Sequence, residues 1–236
     1  MIKETIQGLN ESQFSFPISK IEEARQYLLG RGFLHVDYQF PYVVTVYFST
    51  RDFEVPRSAY IRARNYLSDH FLDEMLIKDG DQFLLEVKPK DLDERNKVRI
   101  PSSYREILDL LAGTSFSKVL DPEILKLLHE ELGLKPLIPY VATQYHRSHY
   151  IKEGNRITID KEIAAYGFFN GEIYSAEKIL EDNSRGKFEI KTDLVSSIEQ
   201  LGLQSLISKG FFSPIPRGQS ERDIREAYKI RETQKR

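Results

Sequence analysis

The chain has 236 residues, of which 40% are hydrophobic and 30% charged, and this suits one α/β or α+β domain, or a domain with a small appendage. Its net charge of −2 gives no global attraction to nucleic acid or to an anionic membrane, so an anion site would need local sorting of charge. The absence of cysteine excludes disulfides and thiolate metal sites. The polar start of the chain and the lack of a long apolar stretch predict a cytoplasmic location.

Helix start signals occur at five places in the sequence. Ser19 with Glu22 and Ser103 with Glu106 have the spacing of a capping box, in which each side chain bonds the backbone N–H of the other residue. The first of these helices is predicted to end near Gly30. The other three start signals are Asp121-Pro122, Asp193 and Ser220, the last opening a charged C-terminal helix.

Eight runs rich in β-branched and aromatic residues are predicted to be strands. The dipeptides Asp79-Gly80, Gly154-Asn155 and Asn170-Gly171 mark reversals between them, and polar loops are expected at residues 91–96 and 181–186. Antiparallel hairpins with helices between them indicate an α+β fold with a large meandering sheet or barrel. The predicted strands are Val43–Phe48, Tyr60–Tyr66, Gln82–Lys90, Lys97–Ile100, Val141–Ile151, Asn155–Ile159, Gly167–Tyr174 and Lys187–Thr192.

Side chains alternate between two faces along a strand, and this alternation sorts the charges of the predicted strands. Their polar faces hold nine basic and three acidic residues, a balance of +6 in a chain of net charge −2. An ordinary solvent-facing strand explains any one pair, but the same bias on six strands favours a shared basic surface, which a closed sheet would make a tunnel. The twelve residues are Arg62, Arg64, Glu86, Lys88, Lys97, Arg99, Arg147, Arg156, Asp160, Lys187, Glu189 and Lys191.

A lining of this kind suits a chain of phosphates. Arginine forks form bidentate, charge-assisted hydrogen bonds to phosphate oxygens, while lysine acts as a point charge. The few carboxylates are candidate ligands of Mg²⁺ or Mn²⁺, hard cations that often bridge to substrate phosphates. Glu189 and Glu86 are the candidates, and a salt bridge to a neighbouring lysine is the alternative for each. His146 and His149 flank Arg147, but strand-surface positions explain them better than contact with substrate does.

Seven short motifs, which follow one another along the chain in the order typical of the family, resemble the VTC domain of polyphosphate polymerases. This domain belongs to the triphosphate tunnel metalloenzyme or CYTH-like superfamily. The resemblance implies an antiparallel β tunnel flanked by helices. It further implies transfer of the γ-phosphate of ATP, or of another nucleoside triphosphate, to polyphosphate with Mn²⁺ or Mg²⁺. The expected domains are a 1–12 extension, a 13–213 tunnel domain and a 214–236 helix. The motifs are YIRARNY, FLLEVKPK, NKVRI, QYHRSHYI, NRITID, KFEIKT and LISKGFF.

The resemblance also implies roles for the matched residues. Arg147 and Arg156 would face the transferred phosphoryl group, with Lys209 near the tunnel end. Glu189 would hold the metal. Because like charges in one cavity repel, replacing a lining arginine with alanine is expected to weaken binding without lowering the stability of the unliganded protein. The nucleotide or polyphosphate would be bound by Arg62, Arg64, Lys88, Lys97, Arg99 and Lys191.

The first strand departs from the family pattern, which leaves other functions open. Gln13 and Ser15 stand where the family usually carries a Glu-x-Lys or similar basic residue, and Ser49 ends a YFS segment in place of YFD. A tripolyphosphate or nucleotide hydrolase and a non-catalytic polyphosphate or nucleotide sensor are the alternatives. A nucleic-acid binder is disfavoured because few aromatic residues are interleaved with the basic positions. No membrane span is expected in this chain, and a membrane partner stays open.

Overall fold

The computed structural model describes residues 10–37, 41–49, 59–67, 80–89, 98–111, 137–168, 177–182, 185–192, 203 and 213–214. The helices formed by these residues are α1 (Ile21–Gly30), which follows a 3-10 turn at Ile18–Lys20, and α2 (Tyr104–Leu111). The strands are β1 (Asn10–Pro17), β2 (Leu34–Val36), β3 (Tyr42–Ser49), β4 (Ala59–Leu67), β5 (Gln82–Pro89), β6 (Val98–Ser103), β7 (Ile138–Lys152), β8 (Asn155–Gly167), β9 (Glu177–Asp182), β10 (Arg185–Thr192) and β11 (Ser213–Pro214).

All eleven strands join one sheet, in the spatial order β11-β1-β10-β8-β7-β3-β4-β5-β6, with β2 paired to β7 and β9 paired to β8. Every pairing is antiparallel. The predicted α+β class with a large antiparallel sheet is therefore confirmed. Within the described residues, β11 and β6 form the two edges of this order.

The β7–β8 hairpin supplies the longest pairing of the sheet. Its turn consists of Glu153 and Gly154, whose φ angles of 50° and 78° are both left-handed, as the twist of a two-residue hairpin requires. The predicted reversal at this point is thus confirmed, one residue earlier than its sequence signal. Further along β8, Glu162 also has a left-handed φ of 53°, and the pairing register with β7 shifts there in a β-bulge.

The apolar side of the sheet is covered by the two helices. Ala24 and Leu28 of α1 pack with Phe16, Ile157 and other apolar side chains of β1, β8, β7 and β10. Burial of each such large side chain contributes about 1.5–3 kcal/mol to stability. The α2 helix lies against β5 and β6, and it also buries its apolar side. Neither helix in the described part of the chain has the length and hydrophobicity of a membrane span.

The two predicted capping boxes have different outcomes. The Ser103 backbone N–H and hydroxyl donate to Glu106 Oε2 at 2.8 and 2.9 Å, and the Glu106 N–H donates to Ser103 Oγ at 3.3 Å, so this box is confirmed. The box at Ser19 is wrong. Ser19 lies inside the 3-10 turn, and Lys20 occupies the N-cap of α1 without a side-chain cap bond. The turn already has helical geometry at Ser19, so Glu22 accepts bonds from within α1 instead.

The predicted strands are confirmed where the structure describes them, with ends shifted by a few residues. The predicted loop at 181–186 is wrong, because β9 ends at Asp182 and β10 begins at Arg185. The short β2 and the charged β9 lack a clear alternation, so the sequence did not indicate them. The strand predicted beyond Phe168 and the helices predicted from Asp121, Asp193 and Ser220 lie outside the described residues.

Substitution of Gly186 tests the packing between β1 and β10. It pairs with Phe16, and a Cβ added there would lie 2.6 Å from Phe16 Cε1 and 2.9 Å from the Asp160 carbonyl oxygen. We expect Gly186→Ala to lower the free energy of unfolding by about 1–3 kcal/mol, because neither the ring nor the backbone has room to move away. Gly30→Ala, whose new Cβ would meet no atom beyond its own stretch of helix within 4 Å, is the matched control and should melt no lower than the wild type. Equal melting temperatures for Gly186→Ala and wild type would contradict this packing.

Candidate functional site

The strand register brings the sequence-predicted charged positions to one side of the sheet, because residues paired across neighbouring strands share a face. We call this side the polar face, and it lies opposite the helix-covered apolar side. The sorting predicted from alternation agrees with this register. The cross-strand pairs on the polar face are Gln13–Glu189, Ser15–Lys187, Glu189–Thr158, Lys187–Asp160, Lys191–Arg156, Thr158–His149, Asp160–Arg147, Val43–Tyr145, Thr45–Arg64, Arg62–Glu86, Tyr60–Lys88 and Glu86–Arg99.

Not every predicted residue is described to the same extent. Lys88, Arg99 and Lys191 have register positions on the polar face, but their side chains lie outside the described part of the chain. Lys97 and Lys209 lie outside the described residues altogether. The side chains of the other predicted residues are placed, and these are Arg62, Arg64, Glu86, Arg147, Arg156 and Glu189.

Polar side chains on this face are buried, although they lie opposite the main apolar core. Glu86, Thr158 and Asp160 are 1–3% exposed. The outer face of a flat sheet would leave such groups in water. Their burial agrees with a sheet that curves around the polar face, which is the geometry of a tunnel wall.

Arg147 is held by a bidentate ion pair. Its Nε donates to Asp160 Oδ1 at 2.7 Å and its Nη2 donates to Asp160 Oδ2 at 2.8 Å. The guanidinium also lies over the Tyr145 ring, 4.8 Å from the centroid. The ion pair with Asp160 fixes one edge of the guanidinium, and the contact with the Tyr145 ring fixes its face.

Arg62 is paired with the other strongly buried carboxylate of the polar face. Its Nε donates to Glu86 Oε2 across the β4–β5 pairing. A salt bridge was the alternative for Glu86, and among the described side chains its ion-pair partner is this arginine on the next strand. As a metal ligand, Glu86 would have to give up this ion pair.

Arg64 and Arg156 differ from the other two arginines. Arg64 Nε donates to Thr45 Oγ1 at 3.3 Å, and the buried Nε of Arg156 has no hydrogen-bond partner among the described residues. In that part of the chain, neither guanidinium forms an ion pair with a carboxylate. Burial and the charges of Arg62 and Arg147 disfavour the Arg64 cation, whereas Tyr145 and Glu86 favour it, and the pKa of Arg64 is raised on balance.

His149 lies on the polar face between two of these arginines. Its Nδ1 is 3.2 Å from Thr158 Oγ1, and the side chain is buried. Burial, together with the charges of Arg147 and Arg156, lowers the pKa of His149 from 6.5 to about 4. The imidazole is therefore neutral near pH 7 and adds no charge to the site.

The sequence profile of the VTC domain matches residues 13–202. The chain belongs to the VTC domain family. This confirms the resemblance drawn from the seven motifs, and with it the assignment to the triphosphate tunnel superfamily. Membership in the family supports triphosphate binding and dependence on a divalent metal. No curated protein sequence matches the chain.

Several solved structures are similar to this VTC domain. A proposed adenylate cyclase from Bacillus halodurans has a TM-score of 0.50 at 16% identity, covering 87% of this chain and 92% of that one. A proposed adenylyl cyclase from Hippeastrum with a dominant triphosphatase activity has a TM-score of 0.49 at 14% identity, covering 89% and 93%. The first similarity supports the fold alone, since the identity is low.

Glu189 is the polar-face carboxylate for which a metal or a salt bridge to a neighbouring lysine was expected. It is 7% exposed, its Oε2 accepts from Gln13 Nε2 at 3.4 Å and lies 3.9 Å from Lys187 Nζ, and it pairs in register with Thr158. The salt bridge to a neighbouring lysine is therefore present. Carboxylate, amide and hydroxyl oxygens are hard donors that suit Mg²⁺ or Mn²⁺. The described residues contain no group of three or more His, Asp or Glu that could hold a metal. As a metal ligand, Glu189 would have to give up its pairing with Lys187, and it would supply one ligand of a cation whose other ligands are substrate phosphates and water.

Sequence reasoning assigned no function to Asp160 or His149. Both lie on the polar face, Asp160 as the partner of Arg147 and His149 between Arg147 and Arg156. The signal was present in the alternation, since His149 has the parity of Arg147 and Asp160 has the parity of Arg156. Alternation could not show the register between β7 and β8, which determines which of these side chains contact each other.

The depressed pKa of His149 predicts an acid sensitivity of the unliganded protein. Between about pH 6.5 and 4 the unfolded chain binds a proton at this residue that the folded chain does not, so stability is full above pH 6.5 and falls as the pH drops toward 4. We expect the melting temperature of His149→Gln, which retains an oxygen that can accept from Thr158, to fall less than that of wild type over this range. His35→Gln is the matched control and should follow wild type. An identical acid dependence in His149→Gln and wild type would disprove the assignment.

Proposed function

We propose that this VTC domain binds a nucleoside triphosphate along the polar face and transfers its γ-phosphate to a polyphosphate chain, with Mn²⁺ or Mg²⁺. The observation that carries the proposal is the combination of four buried or half-buried arginines on one face. Two of them have no carboxylate partner in the described residues, so the face has positive charge left for an anion. The four are Arg62, Arg64, Arg147 and Arg156.

Phosphoryl transfer requires the protein mainly to position groups and to stabilise charge. In the proposal, Arg147 and Arg156 contact the transferred phosphoryl group, and Arg62 and Arg64 bind the phosphates beside it. Lys88, Lys97, Arg99 and Lys191 extend this binding, and Lys209 acts near the tunnel end. The metal, held by Glu189, supplies neutralisation of phosphate charge.

A second candidate function follows from the first strand. In β1, Gln13 faces Glu189 and Ser15 pairs with Lys187, so this strand places an amide and a hydroxyl where the family usually has a basic residue. Fewer positive charges at that position favour a shorter bound chain. The alternative is therefore a tripolyphosphate or nucleotide hydrolase, or a sensor that binds without turnover.

Product analysis separates these functions. The purified protein is incubated with ATP and Mn²⁺, and the products are resolved on a polyphosphate gel with parallel measurement of released phosphate. Long polyphosphate supports the polymerase, inorganic phosphate without polymer supports the hydrolase, and tight binding without product supports the sensor. Absence of both binding and product would overturn the proposal.

Glu189→Gln tests the metal role within the same assay. The change keeps the size of the side chain and removes its charge, so we expect turnover to fall by about a hundredfold or more while the melting temperature changes little. Glu23 of α1 forms an exposed ion pair with Lys20, so Glu23→Gln is the matched control and should retain wild-type turnover. An unchanged dependence of rate on Mn²⁺ concentration in Glu189→Gln would exclude this residue as the ligand.

The four arginines should differ in stability when they are replaced, which changes the expectation from sequence. All four alanine variants should bind tripolyphosphate about tenfold to a hundredfold more weakly, since each loses charge-assisted bonds worth roughly 1.5–3 kcal/mol. Arg64→Ala and Arg156→Ala should melt close to wild type, because neither guanidinium pairs with a carboxylate among the described residues. Arg147→Ala should be destabilised by about 3–5 kcal/mol, because Asp160 loses the partner of both its oxygens, and Arg62→Ala should be destabilised by the loss of its buried ion pair with Glu86.

Calorimetric titration and thermal melts of the unliganded variants measure both effects. Arg→Lys variants serve as controls and should recover only part of the affinity, because lysine lacks the fork. Wild-type affinity in all four alanine variants would show that the arginines are structural only.

A further inference from the structure

Asp160 is a buried carboxylate on a face that otherwise suits a polyanion. It is 3% exposed, and both of its oxygens are engaged by Arg147, at 2.7 and 2.8 Å. A negative charge at this place repels bound phosphate. If the site bound phosphate only through its net positive charge, this carboxylate would lower the affinity.

The geometry of the ion pair gives the carboxylate a different effect. Asp160 engages the Nε and Nη2 edge of Arg147, and no hydrogen bond to Nη1 is present within the described residues. The N–H groups of Nη1 and the second N–H of Nη2 therefore remain for a ligand. Because Tyr145 lies against the face of the same guanidinium, the fork loses little further freedom when an anion binds.

Asp160 is itself held firmly by its place in the sheet. It pairs with Arg147 of β7 on one side and with Lys187 of β10 on the other, at the last pair of the β8–β10 ladder. The β-bulge at Glu162 follows two residues later and ends this register. The carboxylate is therefore the last paired polar-face position of β8 before the bulge.

We propose that Asp160 is a positioning residue for phosphate binding: it does not touch the substrate, and it orients the Arg147 fork so that its free N–H groups face the bound phosphoryl group. The inference rests on the proposed function of the polar face and adds a residue to it. This role explains why a buried carboxylate lies within the proposed anion site.

The sign of one substitution separates this role from a purely electrostatic one. Asp160→Asn removes a negative charge from the site, so charge alone predicts tighter binding of tripolyphosphate. Positioning predicts weaker binding, by about tenfold, since Asn offers one acceptor and one donor to a guanidinium that needs two acceptors. The titration is done by calorimetry without divalent metal, so the result does not depend on turnover.

A double-mutant cycle shows whether the effect passes through the arginine. In an Arg147→Ala background, Asp160→Asn should cause no further loss of affinity and should even restore some, because only the repulsion remains. Asp109→Asn, in an exposed pair with Arg105 on α2, is the matched control and should bind like wild type. Asp160→Glu provides a second route if Asp160→Asn does not fold: it keeps the charge and shifts the carboxylate, and its affinity should also fall.

The outcomes distinguish the two proposals. A wild-type protein that does not bind tripolyphosphate would overturn the proposed function, and this inference with it. A wild-type protein that binds, together with Asp160→Asn or Asp160→Glu variants that bind as tightly or more tightly, would overturn the positioning role alone. An equal loss from Asp160→Asn in the presence and absence of Arg147 would overturn it as well.

Discussion

The crowding of positive charge on one buried face is the constraint on which the rest of the site depends. Four guanidinium groups lie on the polar face, and Arg64 is within range of both Arg62 and Arg147. Charges of one sign in a poorly solvated space repel strongly, so each must find a compensating group. Glu86 and Asp160 form ion pairs with two of them inside the protein, while Arg64 and Arg156 have no carboxylate partner among the described residues. In the proposed function, this division between paired and unpaired arginines sets both the stability of the unliganded fold and its affinity for an anion.

The same constraint explains why the opposite side of the sheet is so apolar. Apolar side chains of α1 and of β1, β8 and β10 form a closed cluster there, and this cluster supplies stability that does not depend on the polar face. The neutral state of His149 follows from the same crowding, because a third cation between Arg147 and Arg156 would add repulsion without a partner. A bound phosphate chain would reverse that balance, since it brings negative charge into the same space.

Much of the polar face could be predicted from sequence, because the alternation of side chains along a strand does not depend on the exact residue at which the strand begins or ends. Arg62, Arg64, Arg147, Arg156 and Glu189 were assigned to one face from alternation alone, and the register agrees. The contacts within that face could not be predicted. Whether Glu86 faces a metal or an arginine depends on the β4–β5 register, and the Arg147–Asp160 pair depends on the β7–β8 register, neither of which is a local property of the sequence. The Ser19 cap failed for a similar reason, since the chain entering α1 from β1 decides which residue becomes the N-cap.

The β7–β8 register itself depends on two residues at the far end of the hairpin. With Glu153 and Gly154 in the turn, Lys152 pairs with Asn155, and the count along both strands then brings Arg147 opposite Asp160. A slip of one residue would turn the partner of Arg147 to the apolar side. Conversely, the bulge at Glu162 absorbs the mismatch that this register would carry into the second half of β8. The orientation of the Arg147 guanidinium, the proposed phosphate-binding fork, is thus determined by backbone geometry on both sides of it, at positions that need not touch a substrate.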